Sequence, residues 1–156
     1  FAVLGSGIPD FEMGWTNIIT IGDYTINAAF RGAFGHSLVN TFRAFYEPRV
    51  GSQKSYNYVN TELANSDIKN ANFSSLYVEE ADFFKLDNLT ISRPLTDNIN
   101  LSLNVRNAFV ITDYTGSDPE PALFDLLDGN PLAPGIDRRN SYYSSRSFTL
   151  GLNVKF

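Results

Sequence analysis

Residues 146–156 read RSFTLGLNVKF. Taken alternately, Phe148, Leu150, Leu152, Val154 and Phe156 fall on one side, and Ser147, Thr149, Gly151, Asn153 and Lys155 on the other. Period two is the mark of a β-strand, whose successive side chains point to opposite faces. Chain ends are usually polar and frayed, yet this alternation runs to an aromatic last residue.

Four further segments share the period, so strands are expected over residues 14–21, 24–34, 81–93, 98–110 and 146–156. The second is clean: Tyr24, Ile26, Ala28, Phe30, Gly32 and Phe34 oppose Thr25, Asn27, Ala29, Arg31 and Ala33. The fourth sets Ile99, Leu101, Leu103 and Val105 against Asn100, Ser102, Asn104 and Arg106. The first is less regular, with Trp15, Asn17, Ile19 and Ile21 on one face and Thr16, Ile18 and Thr20 on the other. Gly22-Asp23 reads as a two-residue hairpin turn. Residues 94–97 read as a second turn, where Pro94 has no N–H to give a ladder.

Two long connections remain, residues 35–80 and 112–145. Short and long connections alternate, so both long loops leave one edge of the sheet. The first has helical character: Ser37 as N-cap, Leu38, Phe42 and Phe45 near helical spacing, Arg43 four residues before Glu47, and Pro48 as the stop. The second is rich in Gly, Pro and Asp and reads as turns stapled by aromatics.

Composition narrows the class. Aromatics are 14% of the 156 residues, with 13 Phe and 8 Tyr, which favours pleated structure. The net charge of −5 argues against a nucleic-acid partner. Cysteine is absent, so disulfides, thiolate metal sites and cysteine nucleophiles are excluded. No run of ~18 apolar residues predicts a transmembrane helix. Membrane-spanning β-strands of ~9–11 alternating residues escape such a scan. The predicted strands are long, ~9–13 residues, whereas soluble strands average ~5–6. Aromatics fall near segment ends, at Trp15, Tyr24, Phe34, Phe84, Phe109, Phe148 and Phe156, where the aromatic girdles of outer-membrane barrels lie. The expected fold is therefore all-β: an antiparallel transmembrane β-barrel segment of about five long strands with two long extracellular loops. Five strands cannot close a barrel, the smallest having ~8. The chain, which begins at Phe1 without a signal peptide, thus reads as part of something longer. A soluble β-sandwich carbohydrate-binding module is the rival that shares the alternation.

The residues resemble a known family. Pro134-Gly135-Ile136-Asp137, Tyr142-Tyr143 and residues 146–156 are similar to the C-terminus of SusC/RagA-type TonB-dependent outer-membrane transporters of Bacteroidota. NVRNAFVITDYTGSDPE (104–120) and SSLYVEEADFFKLDNLTISRPL (74–95) resemble two segments upstream, and GSGIPDFEMGW (5–15) a third, with Gly7 where a proline is usual. In the second of these, Ala81-Asp82 replaces a Gly-Ser and residues 91–94 depart at the turn. The resemblance covers nearly the whole chain in order. It implies the last five strands of a 22-stranded barrel, with the plug domain and earlier strands outside this chain. It further implies TonB-driven import of oligosaccharides or peptides, with a SusD-like surface lipoprotein as partner. The remaining barrel strands, the plug and outer-membrane lipid would be its other neighbours. Phe156 then resembles the signal read by the barrel-assembly machinery. A non-transporting scaffold within a larger outer-membrane complex is the alternative inside the family.

Site chemistry points away from catalysis, and no cofactor is expected. His36, the one histidine, reads as a solvated loop residue rather than a base. The carboxylates near Asp118, Glu120, Asp125 and Asp128 match no EF-hand spacing and read as loop turns rather than a calcium site. The sequons at Asn72 and Asn88 read as chance matches. Arg31, Arg106 and Lys155 are expected to face the lumen, in contact with a plug more than as a solute path. Tyr56, Tyr58, Tyr114, Tyr142 and Tyr143 lie in the long loops. There they can contact a ligand or partner, or pack the loops on themselves.

Overall fold

The computed structural model describes residues 2–47, 59, 61–63, 67–68, 72–120, 134–139 and 144–156. Its strands, in chain order, are β1 (Phe11–Ile21), β2 (Tyr24–Phe34), β3 (Ser37–Asn40), β4 (Val78–Glu80), β5 (Phe83–Thr96), β6 (Ile99–Thr112), β7 (Ile136–Asp137) and β8 (Ser147–Val154). An α-helix, α1 (Thr41–Tyr46), follows β3, and a 3-10 turn at Ser75–Tyr77 precedes β4. The chain divides into a sheet unit (Phe11–Phe34, Phe83–Thr112, Ser144–Phe156) and a loop unit (Phe1–Asp10, Gly35–Asp82, Asp113–Tyr143).

The sheet unit is an antiparallel meander in the order β1-β2-β5-β6-β8. Directly opposed residues share a face of the sheet, so the register shows what each face is made of. One row runs Ile19–Ile26–Ile91–Leu103–Leu150, and another runs Trp15–Phe30–Leu86–Phe109. Leu101–Leu152 and Ile99–Val154 continue this face. Asn17 is a polar exception on it. The opposite face carries rows such as Asn27–Thr90–Asn104–Thr149 and Thr25–Ser92–Ser102–Gly151, with Ile18, Phe83 and Val110 as exceptions.

The apolar face is open. Phe148 is 68% exposed, Leu150 74% and Leu152 62%. Each such side chain left in water forgoes about 1.5–3 kcal/mol relative to burial. This face therefore calls for an apolar medium, and the polar face for a wet one. Aromatics gather toward the end where the long connections leave: Phe11 stacks on Phe34, Trp15 on Phe30, and Phe30 on Phe84. At the turn end Arg93 lies over the Tyr24 ring, 5.2 Å from its centroid, and bonds the phenol oxygen at 3.2 Å.

β5 reconciles its uneven sequence with this face through a bulge. The β5–β6 register steps from Leu86–Phe109 to Asn88–Arg106, so Asp87 alone faces Asn107 and Ala108. Asn107 has φ +51°, a left-handed conformation that Asn tolerates better than most residues. Against β2, Asp87 is itself the extra residue. Leu86 and Leu89, three apart, thereby reach the same apolar face. The Asp87 carboxylate takes Arg31 Nε, and Lys85 Nζ lies 3.5 Å away.

Several observed bounds differ from those expected. β1 begins at Phe11 rather than 14, because Phe11 and Met13 pair with Phe34 and Gly32. Ala81 and Asp82 precede β5 and serve the loop unit instead: the Ala81 N–H donates to His36 O, and Asp82 accepts from the Gly35 N–H. The second turn is only Asp97-Asn98, and Pro94 lies within β5 opposite Asn100. Pairing with β2 has already ended at Ser92, so β5 has a single neighbour at that point and tolerates the proline. β8 spans Ser147–Val154.

The loop unit holds a second sheet of order β4-β3-β7, with β3 antiparallel to β4 and parallel to β7. Residues 37–40, expected to start a helix, form β3. The helix cap is Asn40, whose side chain accepts from the Arg43 N–H at 3.1 Å. Pro48 lies outside the described residues, and the helix ends at Tyr46 before it. Leu38, Ala81 and Tyr114 form the unit's core.

Candidate functional site

Short elements of the loop unit converge on one pocket of about 300 Å³. α1 spaces Phe42 and Tyr46, and Arg43 and Glu47, four residues apart, so each pair shares a helix face. The rings lie 6.1 Å apart, and Arg43 Nε donates to Glu47 Oε1 at 2.9 Å. The other guanidinium arm reaches β4, donating from Nη1 to Glu79 Oε1 at 2.6 Å. Glu79 Oε2 accepts the Thr115 N–H at 3.0 Å and its hydroxyl at 2.7 Å, while Asn40 Nδ2 donates to Oε1 at 3.2 Å. Across the pocket the Val59 N–H bonds Tyr46 O at 2.8 Å, and the Thr61 hydroxyl donates to Glu47 Oε1 at 2.7 Å.

This network sets the charges. Burial pulls the Glu79 carboxyl upward, but its bonds from Arg43 and Thr115 outweigh that and hold it below the usual carboxylate range. Burial likewise opposes the charge on Arg43, and Glu47 and Glu79 outweigh it, so the guanidinium is held above its ordinary value. Behind the pocket, Tyr114 donates its hydroxyl to Asp137 Oδ2 at 2.7 Å. Burial, reinforced by that carboxylate, pushes the phenol far up. Asp137 is fully buried, and desolvation raises its carboxyl despite the bonds from Tyr114 and Ser117.

Glycines let the backbone close around this core. A Cβ on Gly7 would lie 2.4 Å from Gly135 N, and Gly135 itself has φ +88°. The Gly135 carbonyl accepts from Val39 N–H at 2.7 Å, which seats β7 beside β3.

The residues singled out in the sequence fare differently. Tyr56, Tyr58, Tyr142 and Tyr143 lie outside the described residues. Tyr114 is a correction: it is buried with its hydroxyl bonded to Asp137, so it packs the loop unit and offers no open stacking face. His36 is another. It is buried rather than solvated, with Nε2 3.1 Å from Pro119 O. Arg31 and Arg106 stand on the polar face of the sheet, Arg31 paired with Asp87. Lys155 follows β8, and its N–H donates to Asn98 O. Phe156 is fully exposed. Among the described residues no group of three or more His, Cys, Asp or Glu could hold a metal ion. No helix among them is long and apolar enough to cross a membrane, which leaves strands aside.

Sequence reading found the Arg43–Glu47 pair but gave it only a helix role. It passed over Asn40 and named Glu79 and Asp137 only within resembling motifs, without joining these residues, which sit in segments 39 and more residues apart along the chain. Their only local signal is a polar residue set between apolar ones in a short stretch, as in SLVNTF and PGID.

No protein-family model matches the chain. Over 175 residues it is 26% identical to "TonB-dependent receptor P3" of Formosa agariphila, covering 99% of this chain and 17% of that protein. "TonB-dependent receptor P39" of the same organism is 27% identical over 182 residues, again with 99% and 17% coverage. Among solved structures, the RagAB peptide importer in its closed-closed state superposes with a TM-score of 0.70 at 19% identity, covering 97% of this chain and 18% of that one. The RagAB peptide transporter gives 0.69 at 20%, with the same coverage. The chain spans less than a fifth of the length of each.

Proposed function

We propose, from the premise that this chain's relatives are TonB-dependent receptors and that its fold is of the SusC/RagA type, that it forms barrel wall and outer loops of an outer-membrane importer. The observation that carries this reading is the two-faced sheet, whose register aligns apolar residues of every strand on one face, open along β1 and β8, against a largely polar opposite face. The apolar face meets lipid. The polar face meets the lumen, with Arg31 and Arg106 toward a plug. The long connections between strands serve as outer loops. Further strands complete the barrel, since open sheet edges are not tolerated in lipid.

The cargo is an oligosaccharide or a peptide, taken up with a SusD-like surface lipoprotein and driven through TonB contacts outside this chain. Phe156 serves assembly rather than ligand binding. A soluble sandwich is disfavoured because its inner face would be covered, not open like the Phe148–Leu152 row.

The test uses the full-length gene product. It is expected in the outer-membrane fraction, extractable only with detergent, and its disruption should abolish uptake of one labelled oligosaccharide or peptide class. A monomer that stays soluble in plain buffer would overturn the barrel. A membrane-bound protein whose loss leaves all uptake intact would favour the scaffold.

A further inference from the structure

We propose that Arg93 and Tyr24, on the apolar face at the turn end of the sheet, hold the phosphodiester group of a membrane phospholipid. The inference rests on the barrel reading for the lipid's presence. The register isolates the arginine. Of the four Lys and Arg within the strands of this sheet, Arg31, Lys85 and Arg106 stand in polar-face rows. Arg93 instead pairs with Leu101, which pairs with Leu152, and it lies two residues from Ile91 on the apolar face. Among the described residues no carboxylate forms an ion pair with it. Such a cation on a lipid-facing strand is disfavoured at mid-membrane and tolerated near the interfaces. Tyr24 and Phe34 end the 11-residue β2. At ~3.3 Å per residue and a tilt of ~40° they stand about 25 Å apart along the membrane normal, the height of the apolar band. Arg93, one step beyond the Thr25–Ser92 pair, shares the level of Tyr24. The short turns of such barrels face the periplasm, so the lipid is one of the periplasmic leaflet.

The chemistry follows from how the polar atoms are committed. Arg93 Nη1 donates to the Tyr24 phenol oxygen at 3.2 Å, and the guanidinium lies over the ring, 5.2 Å from its centroid. That bond uses one of five guanidinium donors and leaves the phenol proton to give. The pair thus presents positive charge and several donors at an exposed position. A phosphodiester answers both, since a guanidinium matches its oxygens as a fork of two parallel bonds. The surface beside the pair selects a lipid over a free phosphate. Toward mid-membrane lies the uncharged row of Ile19, Ile26, Ile91 and Leu103, with Ile19 and Leu103 44% and 40% exposed. Acyl chains leaving the phosphate run along this row, whereas a free anion gains nothing from it.

Native mass spectrometry of the full-length protein, stripped of lipid in detergent and titrated, tests this. The probes are dioleoylphosphatidylglycerol, dioleoylglycerol, which lacks the phosphate, and inorganic phosphate, which lacks the chains. The tightest phosphatidylglycerol adduct should weaken about tenfold or more in Arg93→Gln, the size of a lost charge-assisted hydrogen bond. Arg93→Lys should recover only part of that, because an ammonium is a single point charge without the planar fork. Tyr24→Phe keeps the ring, removes the phenol proton and should weaken the adduct less than Arg93→Gln. Dioleoylglycerol should bind with the same low affinity in parent and variants, and millimolar inorganic phosphate should not displace the lipid. Thermal unfolding close to that of the parent checks that each variant keeps its barrel. Unchanged phosphatidylglycerol affinity in Arg93→Gln, full recovery in Arg93→Lys, or dioleoylglycerol binding as tight as phosphatidylglycerol overturns the site. Displacement by inorganic phosphate overturns the lipid and leaves a free-anion site. Any of these in a protein that still fractionates with the outer membrane leaves the barrel reading standing, whereas a protein soluble in plain buffer removes both.

Discussion

Arg43 Nη1 meets Glu79 Oε1 at 2.6 Å across 36 residues of chain, tying α1 to β4. Both side chains are nearly covered, 10% and 13% exposed. Removing one partner of such a pair leaves an uncompensated buried charge, at a cost of about 3–5 kcal/mol. Arg43→Met strands two carboxylates, Glu47 and Glu79, and should destabilise the loop unit by that order. Hydrogen exchange at the Thr115 amide, which bonds Glu79, is the readout. Protection unchanged from the parent would show that the network is not a structural centre.

The same pair sets an acid limit. The folded-state value of Glu79 lies below its ordinary 4.5. Its contribution to stability is therefore complete above about pH 4.5 and is lost as pH falls through the lower folded value. Glu79→Gln should weaken the loop unit at neutral pH, and the gap to the parent should close as pH drops below 4.5. Proteolytic susceptibility of the loop unit against pH measures this. A gap that stays constant to low pH would mean that the bond geometry matters and the charge does not.

Asp137 runs the other way. Its carboxyl is raised by burial, so the stability it contributes is full below its ordinary value of 3.8 and declines as pH rises through the folded value. Asp137→Asn removes the buried charge and keeps an oxygen for the Tyr114 hydroxyl. It should be neutral or stabilising at pH 7. Tyr114→Phe removes the donor instead and leaves the carboxylate short of a partner, a cost of about 1–3 kcal/mol. Thermal unfolding of the two variants should move in opposite directions or differ by several degrees. Equal destabilisation would count against the raised Asp137.

Legibility divides along the two units. Strand existence, the tight Gly22-Asp23 turn and the two-faced character of β2, β6 and β8 follow from period two alone, since each residue's face depends only on its parity. β5 escapes that rule because its face depends on a bulge, in which Asp87 is extra against β2 and faces both Asn107 and Ala108 of β6. The loop unit was nearly illegible. Its contacts join Gly7 to Gly135 and Tyr114 to Asp137, and no periodicity links segments that meet only in three dimensions. Ser37 and Asn40 are both good caps by type. β3 pairing with β4 and β7 placed Ser37 in a strand and left Asn40 to start the helix. The motif resemblance marked these segments without showing that they converge.

Gly7 and Gly135 make a sharper test of that convergence. A methyl on Gly7 would strike Gly135 backbone at 2.4 Å, which cannot move aside as a flexible side chain can. Gly135→Ala adds left-handed strain at φ +88° to its own close contact with Gly7 Cα, 2.8 Å away. Both variants should open the β3–β7 pairing, Gly135→Ala at a cost of about 1–3 kcal/mol or more. Exchange at the Val39 amide, bonded to the Gly135 carbonyl, should rise in each. If Gly7→Ala leaves it protected, the close approach is not needed to seat β7.

Leu150 and Thr149 are neighbours in β8 on opposite faces of the sheet. Leu150 lies in the apolar row opposite Leu103, and Thr149 lies opposite Asn104 on the polar face. In a lipid-exposed position Arg costs about 2–4 kcal/mol at mid-membrane depth, whereas lumen positions accept it. Leu150→Arg should therefore deplete the assembled full-length protein in the outer membrane, and Thr149→Arg should leave its level close to normal. The comparison holds strand, depth and substituted residue nearly constant, so only the face differs. Equal depletion would point to a general intolerance of β8. The reverse order would require the apolar row to face inward, which no lipid-embedded barrel of this register allows.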